Sequence, residues 1–238
     1  MDVLFCYQIY KGEDVTQRYL KGEGLTIFEL NAVSDYAVKY RERLQDISWF
    51  MRSLNEPIAR KANTEDECTG RFWEGRFKSQ PLLDEAAILS CMAYVDLNPV
   101  RAKTAKNLEE SDHTSIQMRI RAAIEGKQPE MLKPSQGHIK DSEISKPLMF
   151  SLQDYLELVD ATGRVIRHDK KGSIPKHEAK LLNKLNISAK KWVHLTQNFE
   201  TIFKTAVGQT ESLTSFYQAQ NYKKRVGISA SEIYLKAS

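Results

Sequence analysis

The sequence predicts a mostly helical α+β protein built as two parts joined by a linker. Three observations carry that expectation. Apolar residues recur at spacings of three and four over long stretches, the period of one helix face. An aromatic, β-compatible block from Arg71 to Leu83 interrupts this pattern around Gly75. The stretch from Gly126 to Met149 holds Pro129, Pro134, Pro147 and Gly137 with few apolar residues between them, and reads as a linker. The expected organisation is a domain over residues 1–125, a linker over 126–149 and a helical module over 150–238.

The elements follow in order. Val33, Tyr36, Tyr40, Leu44, Ile47, Met51, Leu54 and Ile58 make one stripe, which predicts one long helix that Pro57 bends or ends. Arg71 to Leu83 predicts a short hairpin or two short strands. Asp84 is placed to cap a helix through Ala86, Ile88, Met92 and Val95, and a shorter helix follows Asp112 or Thr114. Beyond the linker, Leu152, Tyr155, Leu156 and Val159 share one helix face. Ser188 can cap a helix with Trp192, Leu195, Phe199, Ile202 and Ala206 on its apolar side, stopped by Gly208. Leu213, Phe216 and Tyr217 predict another short helix. Gly163 to Pro175 reads as a basic loop with Arg164, Arg167, His168, Lys170 and Lys171.

Charge and composition narrow the function classes. The net charge is +4. Residues 1–126 carry 17 basic and 20 acidic side chains, whereas residues 127–238 carry 18 and 11. The positive field therefore belongs to the second half, where it serves either a polyanion such as nucleic acid or only a solvated lysine-rich surface. No apolar run is long enough to span a bilayer, so no membrane partner is expected. Met1 to Tyr10 lacks a basic leader and a small-residue cleavage site, so no signal peptide is expected. Cys6, Cys68 and Cys91 stand far apart and suggest neither a zinc ribbon nor a disulfide framework, and the cytoplasm is the default compartment.

The residues that carry chemistry lie between Gly70 and Ala102. On a helix, Ile88, Met92 and Val95 cluster on one side, while Tyr94 and Asn98, four apart, lie on a flank about 90° away. Ala87 and Ser90 share that flank, and their small size leaves room for a substrate. A phenol has a pKa near 10 and is a poor nucleophile while protonated. Its attack on a phosphodiester needs a cation at the phosphate oxygens. Asn98 can offer one oxygen to a hard divalent ion such as magnesium. Taken singly, Tyr94 also fits an ordinary core aromatic, and Asn98 before Pro99 an ordinary helix end.

Together these residues form the string YxxxNPVRA from Tyr94 to Ala102, preceded by GRFWEGRFKSQ from Gly70 to Gln80. The combination resembles the REP-associated tyrosine transposases and the wider family of HUH single-strand transposases. Asp46 to Arg52, Glu110 to Ser115 and Asp154 to Asp160 resemble the same family. The resemblance implies a ferredoxin-like catalytic domain, incomplete here, followed by a helical C-terminal module, with a homodimer as a possible assembly. It implies DNA transposition, in which single-stranded DNA at hairpin-forming repeats is cut and rejoined through a 5′-phosphotyrosine. Tyr94 is then the nucleophile and Asn98 a ligand to Mg2+ or Mn2+. Arg71, Trp73, Arg76, Lys78 and Arg101 become DNA contacts, by phosphate neutralisation or base stacking. Trp73 and Phe77 equally fit core packing.

One part of the family pattern is missing. The family draws two further metal ligands from a His-hydrophobic-His strand ahead of the tyrosine helix. Here His113, His138, His168, His177 and His194 all follow Tyr94, and none is paired two apart on one strand face. His113 reads as structural. The expectation is an N-terminally truncated or decayed transposase that binds single-stranded or hairpin DNA with little or no cleavage and no well-formed metal site. The alternative is a non-catalytic DNA-binding regulator or a remnant.

Overall fold

Local capping sets most of the helix boundaries. The computed structural model describes residues 14–129, 132–136, 147–167, 174–175 and 180–235. It is mostly helical, with 61% helix and 2% strand, and the β pairing among the described residues consists of two isolated bridges, Leu82 with Val207 and Ser135 with Leu148. The chain divides into two compact units, Met1–Lys78 and Ser79–Ser238. No helix among the described residues is long and apolar enough to cross a membrane.

The first unit contains α1 (Asp14–Leu20), α2 (Ile27–Gln45) and α3 (Ile47–Glu65). Thr26 opens α2 with a reciprocal cap. Its hydroxyl accepts from Glu29 N at 3.3 Å, and the Glu29 carboxylate accepts from Thr26 N at 2.7 Å. Arg18 on α1 donates to the same carboxylate at 2.6 Å and so ties α1 to the start of α2. The single long helix expected here is two. Asp46 leaves the helical region at φ −99°, ψ 116°, and its side chain accepts from Ser48 N at 2.7 Å to begin α3. An aspartate that satisfies the orphan amides of a new helix competes with continuation of the old one. Pro57 lies inside α3 and does not end it. The apolar stripe is also no core. Val33 is buried, but Ile47, Leu54 and Ile58 are 52%, 46% and 42% exposed.

The expected hairpin over Arg71–Leu83 does not form. Apart from the bridge residue Leu82, this segment runs as loop until α4, with no pairing strand among the described residues. The aromatics anchor it instead. Trp73 Nε1 donates to the carbonyl of Asn55 on α3 at 3.1 Å, and Phe72 meets the Trp73 ring edge-on at 4.8 Å.

The second unit holds α4 (Glu85–Asp96), α5 (Asn98–Arg101), α6 (Ser115–Ile124), α7 (Leu152–Ile166), α8 (Lys180–Lys184), α9 (Ala189–Ile202), α10 (Thr210–Ala219) and α11 (Ile228–Tyr234). Asp84, Thr114, Ser151 and Ser188 cap α4, α6, α7 and α9 through their side chains. Trp192, Tyr155, Phe203, Leu89, Leu97 and Ile116 are fully buried and form one core. α4 meets α9 more extensively than it meets any other helix, and α7 joins them. The Trp192 indole donates to Thr162 Oγ1 on α7 at 2.9 Å. α6 packs on α7, so elements on both sides of the proline-rich stretch share this unit. The basic loop expected from Gly163 begins later. Gly163 and Arg164 continue α7, and Arg167 is its C-cap. His168, Lys170 and Lys171 lie outside the described residues. α9 closes at Phe203, so Ala206 packs beyond its end.

Gly208 sits where the chain crosses the start of α4. A Cβ added there would come within 2.9 Å of Asp84 Oδ2, 3.0 Å of Leu83 Cβ and 3.2 Å of Ser212 Cβ. Asp84 cannot easily retreat, because Oδ1 accepts from Ala87 N at 3.0 Å and Oδ2 from Gln209 N at 2.5 Å. Gly208→Ala is expected to destabilise the fold by about 1–3 kcal/mol, the range for overpacking. Urea denaturation of the full chain measures it; an unchanged midpoint would show that the crossing is loose.

Candidate functional site

The helix carrying Tyr94 buries a different face from the one its large apolar residues indicate. Ala86, Ala87, Leu89, Ser90 and Ala93 are buried, while Val95 is 54% exposed and Ile88 and Met92 are only partly covered. The flank of Ala87 and Ser90, expected to leave room for a substrate, is therefore filled. Small residues let neighbouring helices come close, and close packing recovers more contact than a few large side chains on a poorly matched face.

Tyr94 and Asn98 belong to successive helices, α4 and α5, with only Leu97 between them. Tyr94 is half-buried and Asn98 exposed. The Tyr94 ring stacks on Phe199 of α9, with centroids 5.5 Å apart and planes at 29°. The Arg101 guanidinium carbon stands 4.0 Å from the Tyr94 ring centroid. Arg101 Nη1 donates to the carbonyl of Thr196 at 2.9 Å, and Nη2 to Asn98 Oδ1 at 2.8 Å. One guanidinium thus gathers Tyr94, Asn98 and the middle of α9 into a single cluster.

Electrostatics bear on what this cluster can do. Burial pushes the Tyr94 phenol above its ordinary pKa, and Glu200 pushes the same way, against the attraction of Arg101. The phenol is protonated at neutral pH. The Asn98 oxygen that would face a metal already accepts from Arg101, and a divalent ion placed there would meet the fixed guanidinium charge. This donor set does not fit a divalent metal. Among the described residues no three His, Cys, Asp or Glu side chains converge. His113 is exposed in the left-handed region at φ 60°, before the cap of α6, and His194 stacks on Tyr234 at 5.5 Å. His138 and His177, like Cys6, lie outside the described residues.

Arg71, Trp73, Arg76 and Lys78 belong to the first unit, apart in the chain's division from Tyr94, Asn98 and Arg101. All four are exposed, Trp73 at 40%. Trp73, Arg76 and Phe77 line a shallow cleft of about 300 Å³ along α3, together with Arg52 and Glu56. The Trp73 indole N–H is anchored on Asn55, while the side chain is not part of a core.

Sequence reasoning missed a buried polar group beside this site. Asp96, at the end of α4, is 3% exposed. It accepts from Ser115 Oγ at 2.7 Å and from the fully buried Tyr155 hydroxyl at 2.5 Å. Arg119 is buried with its guanidinium 6.0 Å from the Tyr155 ring, and its Nε and Nη1 have no hydrogen-bond partner among the described residues. Asp96 follows an apolar helix and reads as an ordinary C-terminal charge; only the meeting of α4, α6 and α7 makes it a hub.

No protein-family model, curated protein or solved structure matches this chain. Fold and site together define a helical protein with a cation-centred cluster at the junction of α4, α5 and α9.

Burial raises the Asp96 carboxyl pKa, and this outweighs the lowering by the Tyr155 and Ser115 hydrogen bonds and by Arg119. A carboxyl whose folded pKa lies above its unfolded value contributes stability that is present at low pH and lost as pH rises through the folded value. Lowering the pH from 7 to 4 is expected to stabilise the wild-type chain relative to Asp96→Asn. Paired denaturation curves at the two pH values measure this; a constant difference would show that Asp96 is no more costly to ionise folded than unfolded.

Proposed function

We propose that this chain is a DNA-binding protein of the single-strand tyrosine-transposase type, which holds single-stranded or hairpin DNA by ionic contacts and cleaves it weakly or not at all. One observation carries the reading. The Arg101 guanidinium is fixed beside Tyr94 by two neutral partners, the Thr196 carbonyl and the Asn98 amide oxygen. Its charge is positioned but not neutralised by those bonds, and its five N–H donors leave others for a phosphate. The same contacts disfavour cleavage, since the phenol stays protonated and Asn98 is engaged.

In this reading the described helices accompany a ferredoxin-like catalytic fold of the HUH type, and α7 to α11 make up its C-terminal module. The exposed cations Arg71, Arg76 and Lys78 of the first unit supply further phosphate contacts. Strand cleavage through a Tyr94 phosphotyrosine, homodimer assembly and action in the cytoplasm belong to the family role and form part of the same proposal. Magnesium or manganese is not held by Asn98 as it stands.

The test is fluorescence anisotropy of the full chain with labelled single-stranded and hairpin DNA over a salt series. Affinity is expected to fall steeply with salt, as counterion release requires. Arg101→Ala is expected to weaken binding about ten-fold, consistent with loss of a charge-assisted hydrogen bond of about 1.5 kcal/mol. Tyr94→Phe keeps the ring stack and should leave affinity within about two-fold. Incubation with Mg2+ should give no covalent adduct on a denaturing gel. An adduct that Tyr94→Phe abolishes would overturn the non-cleaving part, and salt-independent binding would overturn the ionic part.

A further inference from the structure

Beside Arg101 a groove of about 620 Å³ opens in the second unit. Its polar walls are Arg101, Lys103, Lys106, Arg167, Gln197 and Asn198, and no carboxylate lines it among the described residues. Three separate pieces of backbone bring these side chains together. After α5, Lys103 takes the left-handed conformation at φ 61°, and the turn is held because Thr104 N and Ala105 N both donate to the Pro99 carbonyl, at 2.9 and 3.2 Å. That turn aims the chain of Lys103 to Lys106 back along the groove. Arg167 enters as the C-cap of α7. Asn198 breaks the helical pattern of α9 at φ −125°, ψ 22°, and the kink brings the Gln197 and Asn198 side chains to the wall.

The chemistry of the walls is one-sided. Four cations converge on one concavity, and among the described residues neither Lys103 nor Lys106 forms an ion pair. With no carboxylate lining the groove among the described residues, Arg101, Lys103 and Lys106 repel one another, and an anion bound between them relieves that repulsion. Guanidinium and ammonium groups with amide donors are the usual partners of phosphate oxygens. The Tyr94 ring already stacks on Phe199 and carries the Arg101 guanidinium 4.0 Å from its centroid, so the adjoining aromatic is engaged within the protein. Recognition here runs through the backbone and not through bases. In the DNA-binding reading the strand that reaches this groove is unpaired.

We infer that this groove is a phosphate-binding site that takes the backbone of one unpaired nucleic-acid strand, with Lys103 and Lys106 on successive phosphates, and with Gln197 and the one Asn198 amide hydrogen not given to the His194 carbonyl as further donors. The inference rests on the DNA-binding reading and deepens it, because it assigns the strand to residues outside the motif.

The experiment compares the wild-type chain with a Lys103→Ala/Lys106→Ala double variant and with a Lys103→Arg/Lys106→Arg control, using anisotropy with oligothymidylate over a salt series. Both lysines are exposed, and circular dichroism checks that each variant folds. The alanine variant is expected to lose at least about ten-fold in affinity. Its log-affinity against log-salt slope should become shallower by about 1.4, two phosphates at about 0.7 each on a single strand. The arginine control should retain binding. If the wild type binds and the alanine variant binds equally well with the same slope, the groove is not the strand site, while the DNA-binding reading survives. No binding of any DNA by the wild type at low salt overturns both. Tripolyphosphate is the second arm: if it saturates the site and the oligonucleotide binds no better than it does, the groove takes a small phosphorylated ligand, and the strand proposal fails.

Discussion

The packing of α4 against α9 is the constraint on which the second unit depends. The buried side of α4 is built largely from Ala86, Ala87, Ser90 and Ala93, so its backbone can approach a neighbour closely. α9 brings Trp192, Leu195 and Phe199, all buried, to the same core. The third member, α7, closes on both. A Cβ on Gly163 would lie 3.3 Å from Leu97 Cδ2, and Thr162 accepts the Trp192 indole. Fully buried aromatics of this size are each worth about 3–5 kcal/mol on truncation to alanine, so this core outweighs any single surface contact. The Tyr94–Phe199 stack and the Arg101–Thr196 bond are both contacts across it.

Arg101 converts that packing into electrostatics. Its side chain leaves α5, reaches back over Tyr94 and ends on a carbonyl of α9. A guanidinium over an aromatic face is attracted by the ring quadrupole and stays charged at any physiological pH. The cluster thus has a fixed positive charge at its centre, with the Glu200 carboxylate acting on the same phenol. That suits a phosphate and opposes a divalent metal, so one residue favours binding and disfavours metal-assisted attack by the neighbouring phenol.

The Asp96 network shows a different use of burial. A carboxyl taken out of water is costly unless its oxygens are hydrogen-bonded, and Ser115 and Tyr155 each satisfy one oxygen. The two partners come from α6 and α7, on opposite sides of the proline-rich stretch. The network ties those helices to the end of α4 and helps explain why they share one unit. In the first unit the balance is reversed: α2 and α3 rest on caps and i,i+4 pairs such as Arg52–Glu56 at 3.5 Å, while Phe28 and Phe50 stay 81% and 61% exposed.

Much of the helix pattern was legible in the sequence. Asp84 and Ser188 start helices as the sequence indicates, and of Asp112 and Thr114 it is Thr114 that caps, because a cap needs only the amides two or three residues ahead; the Ser151 cap went unread. Asp46 carried the same signal, but the continuous apolar stripe around it masked the break. The four-residue spacing of Tyr94 and Asn98 was legible as well, but Arg101 joins them through its own side chain, reaching back across the break between α4 and α5. Tertiary structure alone decided which face of α4 is buried, because small residues weigh little in a hydrophobic pattern and much in close packing. It also decided that the segment around Trp73 to Phe77 lies along α3 as a loop, since a strand needs a partner that no local signal supplies. The partners of Asp96, the engagement of Asn98 by Arg101 and the meeting of Lys103, Lys106 and Arg167 in one groove join residues tens of positions apart or depend on a turn and a kink. Such contacts are set by how helices pack, and a sequence read one window at a time does not contain them.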